Sequence, residues 1–372
     1  MRFRELLSTV GSAVKLHSFD SIATTEKNLS IYRSLRKQNS VQCLNLPLTL
    51  LVELTSKCNL SCRMCNVHHA AKSGMTIDDA LLERTYEFAK TASTVYPFGL
   101  GEPLLHPNIA EIVGKYKSSG PSVGMVTNGM LLTKDISREL ILKGLDHLVI
   151  SVDAADASLF AEIRKGGDLR RILDNIRTMN GLKKSFNVQN PFLAFNVVAQ
   201  AGNFHQLPQI VELAEELSIL SVTITPITVH SHIAGIQDQA LNSNIPRWRE
   251  LLDTCERKAS AAGISITQDR LYHVMNGVSP EDLYHKTIPC PEPFRFIGIR
   301  TNGDVFPCCN WDVDRPIAKL SRIEDPKVDL KKSWADPSWQ MLRQNVISGE
   351  YPDQCKACMS NFTRPFNDEY LT

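Results

Sequence analysis

The chain has 372 residues, 43% of them hydrophobic, which is enough for one large domain and a smaller one built around a sizeable core. Its 41 basic and 40 acidic residues leave a formal net charge of +1, which argues against a nucleic-acid binder that works by neutralising phosphates. No run reaches the roughly eighteen apolar residues a membrane span needs, and no secretory leader precedes the cysteines, so the sequence reads as a cytoplasmic protein whose thiols stay reduced.

Residues 1–45 read as an N-terminal extension, with Phe3, Leu6, Leu7, Val10 and Val14 at helical spacing. Such a stripe either packs on its own domain or touches a membrane surface or a partner. From Thr49 onward, short apolar runs alternate with amphipathic helical stretches. Strands are predicted at Leu50–Leu54, Thr94–Phe98, Ser122–Val126, His147–Val152, Phe192–Ala199 and Ser221–Thr225, with helices such as Ile77–Lys90 and Leu207–Leu217 between them. The alternation implies α/β architecture with parallel strands and crossover helices, and six such units fill residues 46–230. Chemistry is then expected at the carboxyl ends of the strands. Residues 231–285 read as a linker with helical and strand segments.

The first strand runs into Thr55-Ser56-Lys57-Cys58-Asn59-Leu60-Ser61-Cys62-Arg63-Met64-Cys65. Steps of four and three residues let Cys58, Cys62 and Cys65 wrap one face of a [4Fe-4S] cube, one thiolate per iron, leaving the fourth iron open. A zinc knuckle wants two paired donors, and the nearest spare ones, His68 and His69, sit too close in sequence to supply that spacing.

On these residues the chain resembles the radical S-adenosylmethionine enzymes. The resemblance implies a partial (β/α)6 barrel, S-adenosyl-L-methionine on the open iron, and a 5′-deoxyadenosyl radical that abstracts hydrogen from a substrate. Gly99-Leu100-Gly101-Glu102-Pro103 follows the second strand and is similar to a family motif that binds the methionine amino group. Leu100 replaces a glycine of that motif, so Gly101 and Glu102 carry the implied contact. Ser151 and Asp153, closing the fourth strand, are implied near the ribose or methionine part of the cofactor, and Arg164 near its carboxylate or the substrate. Thr127 and Asn128, closing the third strand, suit the cofactor and ordinary turn chemistry equally. Asn196 and Gln200 are candidates near the adenosine, whereas Asn203 reads as a helix cap. His230, His232 and Arg295 are candidate substrate contacts.

A second cysteine group comprises Cys290, Cys308, Cys355 and Cys358, with Cys309 alongside. Phe294 to Phe306 reads as two β-like runs joined by an Asn302-Gly303 turn, a hairpin that brings Cys290 and Cys308 together. A helix is expected around Ser333–Ile347, before Cys355 and Cys358. Four thiolates suit zinc or an iron-sulfur cluster equally by count. The layout resembles the SPASM extension or its shortened twitch form, which implies a small cluster-binding domain over 286–372 with one auxiliary [4Fe-4S] cluster. Cys309 reads as a small core residue, and Cys43 and Cys255 as structural.

The resemblance implies oxidation of a small hydroxylated molecule, such as a sugar, cyclitol or natural-product intermediate, with the auxiliary cluster as electron acceptor. The alternative is a peptide maturase that installs a thioether, a crosslink or an epimerised residue, although the extension is shorter than the leader-binding domain many such relatives carry. An alternative of another class is a non-catalytic zinc-bearing regulatory or scaffold protein. Expected partners are a small-molecule substrate or short peptide and a one-electron reductant such as flavodoxin or ferredoxin.

Overall fold

A computed structural model describes residues 19–38, 40–41, 43–65, 74–229, 233–242, 244–277, 290–308, 311, 334–352 and 355. The apolar stripe from Phe3 to Val14, His68, His69, His230, His232, Cys309 and Cys358 lie outside the described residues.

Eleven strands are described: β1 (Thr49–Val52), β2 (Ser61–Cys62), β3 (Thr94–Tyr96), β4 (Ser122–Thr127), β5 (His147–Ser151), β6 (Arg164–Lys165), β7 (Phe192–Ala199), β8 (Ser221–Pro226), β9 (Ser265–Thr267), β10 (Phe296–Ile299) and β11 (Val305–Phe306). Nine of them form one open sheet in the order β11-β10-β1-β3-β4-β5-β7-β8-β9. Every pairing in it is parallel except β10 with β11. The six predicted strands form its centre, within three residues at each end, and the fold is the expected α/β sheet with crossover helices.

Side chains alternate between the two faces of each strand. Leu148 and Ile150 of β5, and Leu193, Phe195 and Val197 of β7, are at most 1% exposed and belong to the main core beneath the helices. Each such aliphatic or aromatic side chain contributes about 2 kcal/mol on burial. The helices present matching stripes: Leu207–Glu216 buries Leu207, Ile210, Val211 and Ala214, the three- and four-residue steps of one helical face. Their starts are fixed by side-chain caps, Asp78 accepting from Leu81 N, Thr133 from Ile136 N and Asp168 from Arg171 N.

Three strands beyond the predicted six, β9, β10 and β11, widen the sheet. β9 adds to β8, with Val222 opposite Ile266. On the other side β10 pairs with β1, placing Leu50 opposite Ile297, so the C-terminal hairpin is a continuation of the central sheet. Gly303, at φ +81°, makes the hairpin turn as expected of Asn-Gly. The predicted extended run, however, begins too early. Glu292–Arg295 is a single helical turn, because Pro293 in its first turn has a fixed helical φ and no N–H to satisfy.

A second core lies at this side of the sheet. It joins Leu48, Leu51, Phe294, Phe296, Phe306, Trp311, Leu342 and Val346 with Tyr32 of the helix Phe19–Lys37. The described part of the N-terminal extension thus packs on its own domain, and Asn28 donates to Leu46 O and Thr91 O at 3.0 Å each. No helix among the described residues is long and apolar enough to cross a membrane.

Candidate active site

The cysteine loop is stitched to the sheet by its backbone. Ser56 N donates to Met75 O at 2.9 Å, and Glu102 N donates to Lys57 O at 2.8 Å. β2 then pairs antiparallel with β6, setting Cys62 opposite Arg164 and Ser61 opposite Lys165. Arg164 Nη1 stands 3.9 Å from Cys62 Sγ, and Asn128 Nδ2 stands 4.0 Å from Cys58 Sγ.

Burial pushes the Cys62 thiol up to about 11, against the opposing pull of the Arg164 guanidinium and with further upward pushes from Cys65, Asp153 and Cys58. Burial also raises Cys58, where Glu102 and Cys65 add to the effect. The three thiols therefore lie within electrostatic reach of one another. Among the described residues no three His, Cys, Asp or Glu donors converge tightly enough for a single ion. A cube that takes one sulfur at each of three corners asks for a wider cup, and positive charge beside it favours thiolate over thiol.

Glu102 braces this loop. It is 2% exposed, and its carboxylate accepts from Thr127 Oγ1 at 2.7 Å, Asn128 N at 2.7 Å and Leu104 N at 3.1 Å. Burial raises its pKa while those donors pull it back. Beside it Gly101 lies so close to the carbonyls of Thr55 and Lys57 that any Cβ would collide with backbone. Thr127 and Asn128 do turn work as well: Gly129 N donates to Thr127 Oγ1 and Met130 N to Asn128 Oδ1, each at 3.0 Å.

Ser151 and Asp153 lie on the face of β5 opposite the helix-packed Ile150 and Val152. Ser151 is opposite Asn196 in register. Asp153, fully buried, forms an ion pair with Arg164 at 2.7 Å and accepts from Val198 N at 2.8 Å. Arg164 is thus shared between Asp153 and Cys62. Asn203 occupies the cap position of the short helix Phe204–Gln206 without capping it. Its side chain instead accepts from Gln200 N at 2.8 Å and donates to Asp153 O at 2.7 Å, tying two strand ends together. Gln200 is fully buried, and neither atom of its side-chain amide has a hydrogen-bond partner among the described residues.

At the far side, Cys290, Cys308 and Cys355 all pack against the second core, and Cys290 N donates to Tyr351 Oη at 3.3 Å. Cys43 packs there too, raised by burial and donating to Asn45 Oδ1 at 3.2 Å, while Cys255 is buried in the main core. Arg295 stands at the amino end of β10, the end of the parallel sheet away from the cysteine loop. Its Nε donates to Glu292 Oε1 at 3.0 Å within the helical turn that Pro293 enforces. Glu53 was not among the sequence candidates, yet it is a buried carboxylate on the inner face at the end of β1. The signal was a lone charge inside the apolar run Leu50 to Leu54.

The donor set fits the groups the family would bring: three thiols in one loop, a glycine cradle with no room for a side chain, and an orphaned amide further along the strand ends. The radical SAM superfamily matches residues 52–193, and the SPASM iron-sulfur cluster-binding domain matches residues 290–359. The chain belongs to the radical SAM superfamily and carries a C-terminal SPASM domain. These two domains imply [4Fe-4S] clusters and S-adenosyl-L-methionine as its cofactors, which displaces the zinc-bearing scaffold alternative.

The chain is 28% identical over 195 residues to a probable GTP 3′,8-cyclase of Methanocaldococcus jannaschii, a match over 50% of this chain and 61% of that protein. It therefore spans about three-fifths of the length of that relative. With the PqqA peptide cyclase of Gluconobacter oxydans it shares 24% identity over 321 residues, covering 84% of this chain and 82% of the cyclase. Among solved structures, Streptococcus suis SuiB bound to S-adenosylmethionine superposes with a TM-score of 0.64 at 17% identity, over 91% of this chain and 76% of SuiB. That likeness shows the fold.

Proposed function

We propose that this protein is a peptide-modifying radical SAM enzyme, acting on a short peptide to form a crosslink or a related modification. One observation carries the reading: the likeness to the PqqA peptide cyclase runs through 84% of this chain and 82% of that protein, not through one domain alone. The SuiB fold, also solved with its precursor peptide SuiA, points the same way. Oxidation of a small hydroxylated molecule has no comparable support among these relatives.

In this reading residues 46–230 are the radical core and 286–372 the auxiliary domain. Cys58, Cys62 and Cys65 hold the cluster, and Cys290, Cys308, Cys355 and Cys358 hold an auxiliary one. Gly101, Glu102, Thr127, Asn128, Ser151, Asp153 and Arg164 form the cofactor-binding set. Bound there, cluster and S-adenosyl-L-methionine would supply hydrogen-abstraction chemistry. The protein's own contributions are positional. Arg164 offsets the charge of Cys62 beside the cysteine loop, Glu102 fixes the turn that presents Gly101, and Ser151 with Asn196 offers polar groups on the inner face of the sheet. Flavodoxin or ferredoxin is the expected electron source.

The test is anaerobic incubation of the reconstituted protein with S-adenosyl-L-methionine, a chemical reductant and short peptides encoded beside its gene. Deoxyadenosine that rises with one peptide, together with loss of a hydrogen pair from that peptide, is the expected result. Deoxyadenosine coupled only to conversion of a small alcohol into a carbonyl compound would overturn it.

A further inference from the structure

We infer that Glu53 is a positioning residue that makes the glycine cradle of the cofactor depend on the auxiliary domain. It stands on the inner face at the end of β1, five residues before Cys58, on the same parity as Leu51 and Thr55. One carboxylate oxygen accepts from Leu100 N at 3.2 Å, inside the Gly99–Pro103 turn. The other accepts from Thr301 Oγ1 at 3.3 Å. Arg300 Nη1 lies 3.7 Å away, with the two side chains only 11% and 4% exposed, so the pair is screened little by water.

The contacts continue on both sides. Gly99 has no space for a side chain because the stem and carboxylate of Glu53 fill the place of its Cβ. On the hairpin, Arg300 lies over the Phe306 ring at 4.5 Å and its Nη2 donates to Trp311 O at 3.4 Å. Trp311 N in turn donates to Cys308 O at 3.2 Å. A single carboxylate therefore joins the backbone around one auxiliary cysteine to the turn that carries Gly101 and Glu102. A charge placed in a buried strand is costly, and here its partners come from the two segments that must be registered with each other.

This inference rests on the radical SAM reading only for the meaning of the cradle, and its first test is independent of any cofactor. In metal-free protein, hydrogen exchange at Leu100 N should speed up about tenfold in Arg300→Met, although Arg300 does not touch Leu100. Glu53→Gln should do the same, and the double variant should be no faster than either single one. In iron-loaded protein, the same variants should weaken S-adenosyl-L-methionine binding by a similar factor while iron content stays at the wild-type level. Unchanged Leu100 exchange in folded Arg300→Met, or effects that multiply in the double variant, would overturn the coupling. Thr301→Val, which removes one hydrogen bond and no charge, replaces Glu53→Gln should that variant fail to fold, and is held to the same expectation. A wild-type protein that binds no S-adenosyl-L-methionine would instead sink the functional reading and leave the exchange result standing.

Discussion

Arg164 and Cys62 face each other across the two-stranded sheet of β2 and β6, and the guanidinium that stands 3.9 Å from the sulfur is at the same time ion-paired with Asp153. Three charges or potential charges thus meet in a place that is at most 9% exposed for the pair. Arg164→Met leaves the Asp153 carboxylate buried without its cation, and breaking such a pair costs about 3–5 kcal/mol. Urea denaturation should show that loss, and iron uptake at the three-cysteine loop should fall with it. Adding Asp153→Asn should recover part of the stability but not the iron.

Gly101→Ala tests the cradle. Its methyl group would press on the carbonyls of Thr55 and Lys57, backbone that the Glu102 to Lys57 hydrogen bond holds in place. Displacing the turn by a fraction of an ångström should lower deoxyadenosine formation about a hundredfold. Circular dichroism and iron content should stay near wild type, since the strain is confined to one loop.

The two cysteine groups should separate cleanly. Cys58→Ala should abolish deoxyadenosine formation, because the open iron loses a neighbour that sets its cup. Cys355→Ala should lose about half the iron, as expected of two clusters, and keep cleavage of S-adenosyl-L-methionine uncoupled from product. Iron analysis and chromatography of the nucleoside products distinguish these outcomes, and full product formation by Cys355→Ala would remove the auxiliary cluster from the reaction.

His106 gives a pH signature. It is buried, and burial holds its pKa below the ordinary 6.5, while Nδ1 accepts from Asn108 N at 3.3 Å. A histidine depressed in the folded state is neutral there, and the unfolded chain takes up the proton first as pH falls. Stability is therefore intact above 6.5 and declines as the pH drops from 6.5 toward the lower folded value. Thermal midpoints measured through that window should fall with acid in the wild type and flatten in His106→Gln.

Much of this architecture is legible in the chain because its signals are local. Runs such as Phe192–Ala199 carry buried residues at every second position, the Cys58–Cys65 spacing stands by itself, and Asn302-Gly303 announces its turn. What is not legible depends on residues far apart in sequence. Nothing near Thr49 tells that Phe296 will lie beside it, and Glu53 shows only an unexplained charge until Arg300 and Thr301 arrive from the other end of the chain. Asn203 misleads for a related reason: its position predicts a cap, but two strand ends compete for its amide and win. Pro293 likewise sets a helical turn over Glu292–Arg295 where the residue pattern reads as extended.

The pairing of Phe296–Ile299 with Thr49–Val52 has a consequence for how the polypeptide can be divided. A fragment ending before Cys290 would bare the donors and acceptors along one edge of its own first strand, an invitation to pair with another molecule. Loss of the final eighty or so residues is thus expected to produce aggregates in place of a smaller catalyst, and the two halves should melt in one cooperative step.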